Sequence, residues 1–147
     1  MVVKVIYAML LLAVVLGFLR GGGPERAIAG VLTAMFAIDR AGHFLLAGHD
    51  SAALDHLHLA LDLAGLAAML GVALSARRYW PLWASSCQLI SVFSHLGWAL
   101  ETGLPMQIYL VMSIAPSALI SIALIVGVTA HRGRVRHRGN DPPWKDS

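Results

Sequence analysis

Residues 57–76, LHLALDLAGLAAMLGVALSA, form a run of twenty residues in which Asp62 is the one acidic or basic side chain apart from His58. A helix of about twenty residues is about 30 Å long, which matches the hydrocarbon core of a bilayer. The whole chain has this character, since 58% of its 147 residues are hydrophobic and 13% are charged. Soluble domains carry about 25% charged residues. The sequence therefore predicts an all-α membrane protein.

Further apolar runs on both sides of this stretch predict a polytopic transmembrane helical bundle of about five spans. The predicted spans are residues 2–19, 27–48, 57–76, 82–100 and 106–130. Pro24, Pro81 and Pro105 stand just before or at the starts of spans, where the missing N–H of proline costs nothing. We expect residues 1–131 to form one transmembrane bundle and residues 132–147 to form a basic cytoplasmic tail.

The charges between the spans predict the orientation of the bundle. Arginines occupy the first and third loops and the tail, whereas Asp50 and Asp55 occupy the second loop and Glu101 the fourth. Basic loops face the cytoplasm, so we expect the N-terminus outside and the C-terminus in the cytoplasm. The basic tail has an ordinary role in fixing this orientation, and we expect no nucleic-acid partner.

Ionisable side chains from spans two, three and four fall at one depth in the outer leaflet. They are Asp39, His43, His58, Asp62 and His95. Two pairs, Asp39 with His43 and His58 with Asp62, are four residues apart and so share a helix face. Charges within a membrane are costly and normally face the bundle interior or a wet cavity. The pattern predicts a polar pocket that opens to the outer side.

This pocket has several possible occupants. His43, His58 and His95 are candidate cofactor-binding residues, because neutral imidazoles at matched depth can ligate haem b or a metal ion. The identity of a metal stays open. The same imidazoles, with carboxylates beside them, could exchange protons or form hydrogen bonds with a quinone head group.

The polar residues could instead hold the helices together. Asp39, Arg40 and Asp62 would then form a polar network that fixes helix register, with the histidines as hydrogen-bond partners. Arg40 lies about 100° round the helix from Asp39, so it could pair with Asp62 or extend outward.

Residues 76–96, ARRYWPLWASSCQLISVFSHL, resemble small bacterial polytopic membrane proteins. The resemblance implies a multi-pass protein of the cell inner membrane and implies no activity.

No recognisable catalytic motif accompanies the polar residues, and the single cysteine, Cys87, excludes an internal disulfide or a CxxC pair. Ala60, Ala64 and Ala68 form a stripe of small residues that permits close helix contact. We therefore expect a non-catalytic accessory or scaffolding subunit that binds membrane lipids and other membrane subunits, or forms a homo-oligomer. The alternative is a haem-, metal- or quinone-binding redox membrane protein that uses the His/Asp pocket.

Overall fold

The computed structural model describes residues 2–46, 51–76, 78–99 and 105–139. Its helices are α1 (Val2–Arg20), α2 (Gly23–Leu45), α3 (Ser51–Ser75), α4 (Trp80–Ala99) and α5 (Met106–Arg138). These described ranges contain no strand, and the predicted all-α fold is confirmed. Several positions named in the sequence analysis lie outside the described residues. They are Asp50, Glu101, residues 47–48 and 100 at the ends of predicted spans, and the tail beyond Gly139.

Three helices are long and apolar enough to cross a membrane. They are Gly23–Leu45, Ala53–Ser75 and Val111–Arg138, with mean hydropathies of 1.3, 1.9 and 2.3. At most 33% of the apolar window in any of them is buried within the protein. Large apolar side chains such as Leu11, Phe44 and Leu74 are exposed on the outside of the bundle. Soluble monomers rarely expose apolar surface on this scale, so the outside of the bundle suits lipid.

Three helices, α2, α3 and α4, begin earlier than the predicted spans, and α5 continues well beyond its predicted end. α2 begins at Gly23 because the Glu25 side chain reaches back, and its Oε2 accepts a hydrogen bond of 3.0 Å from the Gly22 N–H. α3 begins at Ser51, which places Asp55 on the helix. α5 continues to Arg138 and ends at Gly139, whose φ of +78° is readily adopted by glycine.

The five helices close into a ring. Each helix packs against the next along the chain, α5 returns to pack against α1, and a smaller contact joins α2 to α5. Glycine allows two of these contacts to be close. A Cβ atom at Gly17 would lie 2.9 Å from Ala29 Cβ, and one at Gly127 would lie 2.5 Å from the Trp80 ring.

An apolar core fills the half of the ring in which α1 ends and α2 begins. Its buried members come from all five helices: Ala13, Ile28, Ala29, Leu32, Met69, Ala84, Ile120, Leu124 and Val128. The core holds this half of the bundle closed, and the other half contains the polar residues.

Candidate ligand-binding site

A cavity of about 340 Å³ lies inside the polar half of the ring. Its polar wall residues are Tyr7, Asp39, His58, Asp62, Gln88, Ser91, His95, Ser113 and Ser117. The apolar wall residues include Leu32 and Ile120, which also belong to the core, so the core closes the inner end of the cavity. Pockets for small molecules have about this size and combine apolar walls with polar side chains that orient the ligand.

Asp62, Gln88 and His95 form a hydrogen-bonded group, the Asp62 cluster, which links α3 to α4. Gln88 Nε2 donates a hydrogen bond of 2.8 Å to Asp62 Oδ1, and His95 Nε2 lies 3.2 Å from Asp62 Oδ2. Gln88 and His95 are buried. Each carboxylate oxygen therefore has a donor from the neighbouring helix, which offsets the cost of placing these polar groups in an apolar bundle.

Asp39, Arg40, His43 and His58 form a second group, the Asp39 cluster, which links α2 to α3. His58 Nε2 lies 3.0 Å from Asp39 Oδ1. His43 Nδ1 lies 2.9 Å from the Asp39 carbonyl oxygen and 3.4 Å from Oδ1. Arg40 Nε donates a hydrogen bond of 3.0 Å to Asp39 Oδ2. Arg40 thus pairs with its own chain neighbour and extends outward, and it makes no pair with Asp62.

Three imidazoles connect the two clusters. The ring centroids of His43 and His58 are 5.2 Å apart, and those of His58 and His95 are 6.3 Å apart. Side-chain exposure falls from 40% at His43 to 31% at His58 and 9% at His95. The row therefore leads from the bundle surface into the cavity. Because an imidazole can donate and accept hydrogen bonds, the row offers both functions to a bound molecule.

An apolar groove of about 360 Å³ lies between α1 and α2 and adjoins the cavity. Its wall is made by Tyr7, Ala8, Leu10, Leu11, Val14, Leu32, Thr33 and Phe36. Tyr7, Leu10, Leu32 and Phe36 also line the cavity, so the two spaces share a wall. The Tyr7 and Phe36 rings meet edge to face in this wall, with centroids 5.9 Å apart. Leu11 is 66% exposed, so the groove opens to the outside of the bundle.

The structure places most of the predicted site residues together. Asp39, His58, Asp62 and His95 line the cavity, and His43 contacts His58 beside it. Gln88 is the member of the two hydrogen-bonded clusters that the sequence analysis does not select. It lies three residues before Ser91 and seven before His95, which puts the three on one face of α4. Helical spacing on α4 therefore contained a signal for it.

A metal ion is one occupant that the site could take. Asp39, His43 and His58 each have a ligand atom within 4.8 Å of the others, and imidazole with carboxylate is an ordinary ligand set. The Arg40 guanidinium on Asp39 opposes a cation there by its own positive charge. Haem ligation fits less well, because the Nε2 atoms of His58 and His95 are each directed at a carboxylate and not at a common iron.

Comparison with known proteins adds nothing to this geometry, since no protein-family model, curated protein or solved structure matches the chain. The arrangement itself defines what the site can hold. Two carboxylate–imidazole pairs can bind the head group of a small molecule, and the adjoining groove can accommodate an apolar tail.

Proposed function

We propose that the chain is a multi-pass protein of a bacterial inner membrane, with five spans, the N-terminus outside and the C-terminus in the cytoplasm. The alternation of basic and acidic loops supports this orientation. In this proposal α1 and α4 span the membrane alongside the other three helices, because both pack along their neighbours in the closed ring. The polar cavity then opens toward the outer side, and the apolar core faces the cytoplasm.

Within that bundle, the chain is a non-catalytic subunit that holds an isoprenoid quinone. The observation that carries this proposal is the adjacency of the polar cavity and the apolar groove, which share Tyr7, Leu10, Leu32 and Phe36. A quinone combines a ring that carries two oxygens with a long apolar tail. A cavity with hydrogen-bonding groups and a groove open to lipid match these two parts.

The imidazoles provide the contacts to the ring oxygens. His58 and His95 both line the cavity, and each is held at Nε2 by a carboxylate on a neighbouring helix. Such a contact fixes the orientation of an imidazole. Because an imidazole can donate and accept hydrogen bonds, His58 can bond a ring oxygen of the quinone.

The groove favours an organic ligand over a bare ion. A metal ion would need the Asp39, His43 and His58 ligands but would make no use of the apolar wall or the groove. The Arg40 guanidinium beside Asp39 also disfavours a cation. Quinone binding is therefore the use of the pocket that the geometry favours.

The test is quinone binding by the full chain purified in mild detergent. We expect a short-tailed ubiquinone to bind with one site per chain in calorimetry. His58→Gln and His95→Gln should each weaken binding about tenfold, since a lost hydrogen bond to an ionisable partner costs roughly 1.5 kcal/mol. His137→Gln, on the exposed end of α5, is the matched control and should bind normally.

Two outcomes would contradict the quinone proposal. One is equal binding by wild type, His58→Gln and His95→Gln. The other is a stoichiometric metal in the wild-type protein, measured by elemental analysis, that is lost in His58→Gln. That result would assign the Asp39 cluster to an ion.

A second proposed function, the accessory or scaffolding subunit expected from the sequence, has its own observation. Ala60, Ala64 and Ala68 are all exposed along the outside of α3, so this small-residue stripe is not used inside the bundle. Small residues let helices of neighbouring subunits approach closely. The stripe is the surface on which another membrane subunit or a second copy would pack.

We expect Ala64→Trp to reduce self-association or partner association, because an indole would hold the two helices apart. The mass of the detergent-solubilised assembly, measured by light scattering, gives the result. Ala34→Trp places the same side chain on an exposed part of α2 and should leave the mass unchanged. An unchanged mass in Ala64→Trp would exclude the stripe from the interface.

A further inference from the structure

A second cavity, of about 280 Å³, lies at the opposite end of the bundle from His43, His58 and His95. It is lined by Arg20, His131, Arg132, Val135 and Arg136. Arg20 is the last residue of α1, and the other four belong to the last turns of α5. The cavity is thus built where α1 stops and α5 continues past it.

The packing of the chain brings three guanidinium groups to this one space. Arg132 and Arg136 are four residues apart and share a face of α5. α1 packs along α5, which places Arg20 at the same end. The turn between α1 and α2 fits closely against this region, since a Cβ atom at Gly22 would lie 2.8 Å from the His131 ring.

The three arginines have no carboxylate partner among the described residues. The ion pairs of the Asp39 and Asp62 clusters lie at the other end of the bundle. Glu25 is the nearby acidic residue; it is fully buried, and its Oε2 accepts the Gly22 N–H. Within the described residues, no carboxylate therefore offsets the positive charge of these three guanidinium groups.

We infer that this arginine cavity binds a phosphate group. Guanidinium groups suit phosphate because their planar donors bond its oxygens in pairs. The last apolar residues of α5 end near Ala130, so the cavity lies about one helical turn beyond the apolar stretch. In a bilayer this is the level of the headgroups. The phosphate can come from an anionic lipid or from a soluble phosphate, and the site is independent of the proposed quinone function.

The test uses the full chain with three arginines changed, Arg20→Gln, Arg132→Gln and Arg136→Gln. The protein is reconstituted in nanodiscs of phosphatidylglycerol and phosphatidylcholine, and the lipid retained after detergent extraction is measured by mass spectrometry. Wild type should retain phosphatidylglycerol in excess over its share in the nanodisc, and the triple variant should lose this excess at least tenfold. The control variant, Arg26→Gln with Arg138→Gln, removes two exposed arginines outside the cavity. It should keep most of the phosphatidylglycerol excess.

A parallel measurement distinguishes the source of the phosphate. Inorganic phosphate is titrated onto delipidated protein, and thermal unfolding is followed. Stabilisation of wild type but not of the triple variant, without selective lipid retention, would support the same site with a soluble ligand. The inference is overturned if the triple variant equals wild type both in lipid retention and in its response to phosphate. Circular dichroism of each variant checks that the helices are intact.

Discussion

Replacing Asp62 with alanine is expected to lower the free energy of unfolding by about 2–4 kcal/mol. The carboxylate accepts from Gln88 and His95 on α4, and each interhelical hydrogen bond in a membrane bundle contributes about 0.6–1.7 kcal/mol. Its removal also leaves a buried amide and a buried imidazole without this acceptor, which costs roughly 1–3 kcal/mol. The loss would be measured by reversible unfolding in mixed micelles with increasing dodecyl sulfate.

Asp55→Ala is the matched control, because it removes an exposed carboxylate from the same helix. Its effect should be within about 0.5 kcal/mol of zero. Asp62→Asn keeps one oxygen acceptor, so its loss of unfolding free energy should lie between those of Asp55→Ala and Asp62→Ala. A double-mutant cycle with Gln88→Ala should give a coupling energy near 1 kcal/mol. If Asp62→Ala unfolds like Asp55→Ala, the Asp62 cluster does not hold α3 to α4.

The second large effect concerns the groove between α1 and α2. Ala8→Trp should weaken the binding of a long-tailed quinone about tenfold or more, while a short-tailed quinone binds nearly as before. Ala8 lines the groove but not the cavity, so an indole there fills the space for the tail and leaves the histidines unobstructed. A change in the relative affinity for the two quinones separates this effect from a general loss of structure.

Calorimetry with both quinones on wild type, Ala8→Trp and Ala34→Trp provides the comparison. Ala34 is exposed on α2 and lines neither space, so its variant should bind both ligands normally. Unchanged binding of both ligands by Ala8→Trp, with His58→Gln still defective, would place the tail outside the groove and leave the head-group site in the cavity.

The sequence predicts the helical fold and five of the side chains that the structure brings together at the site, Asp39, His43, His58, Asp62 and His95. Hydrophobic runs of about twenty residues have few alternatives to helices in lipid, and helical rise places His43, His58 and His95 at one depth. The pairing between helices could not be obtained in this way, because it depends on how each helix is rotated about its axis. Asp62 bonds to Gln88 and His95 of α4 only at the rotation that the packing sets.

The positions of the helix ends and the presence of the groove could not be predicted from hydropathy for a related reason. α2 begins at Gly23 because of a local contact between Glu25 and Gly22, and hydropathy averages over such contacts. The groove exists because α1 approaches α2 closely at Gly17 and Ala29 but leaves a gap near Ala8. The spacing between α1 and α2 depends on the side-chain volumes of both helices, and the hydropathy of one apolar stretch does not contain this information.

The closed apolar half has an electrical consequence for the proposed orientation. The core from Ile28 to Val128 separates the cavity from the opposite end of the bundle, so most of the membrane voltage should fall across that half. Moving one charge through the full potential costs about 2.3 kcal/mol per 100 mV. A charged molecule that enters the cavity from the outer side crosses only a small part of this potential. Its binding should therefore depend little on the energised state of the membrane.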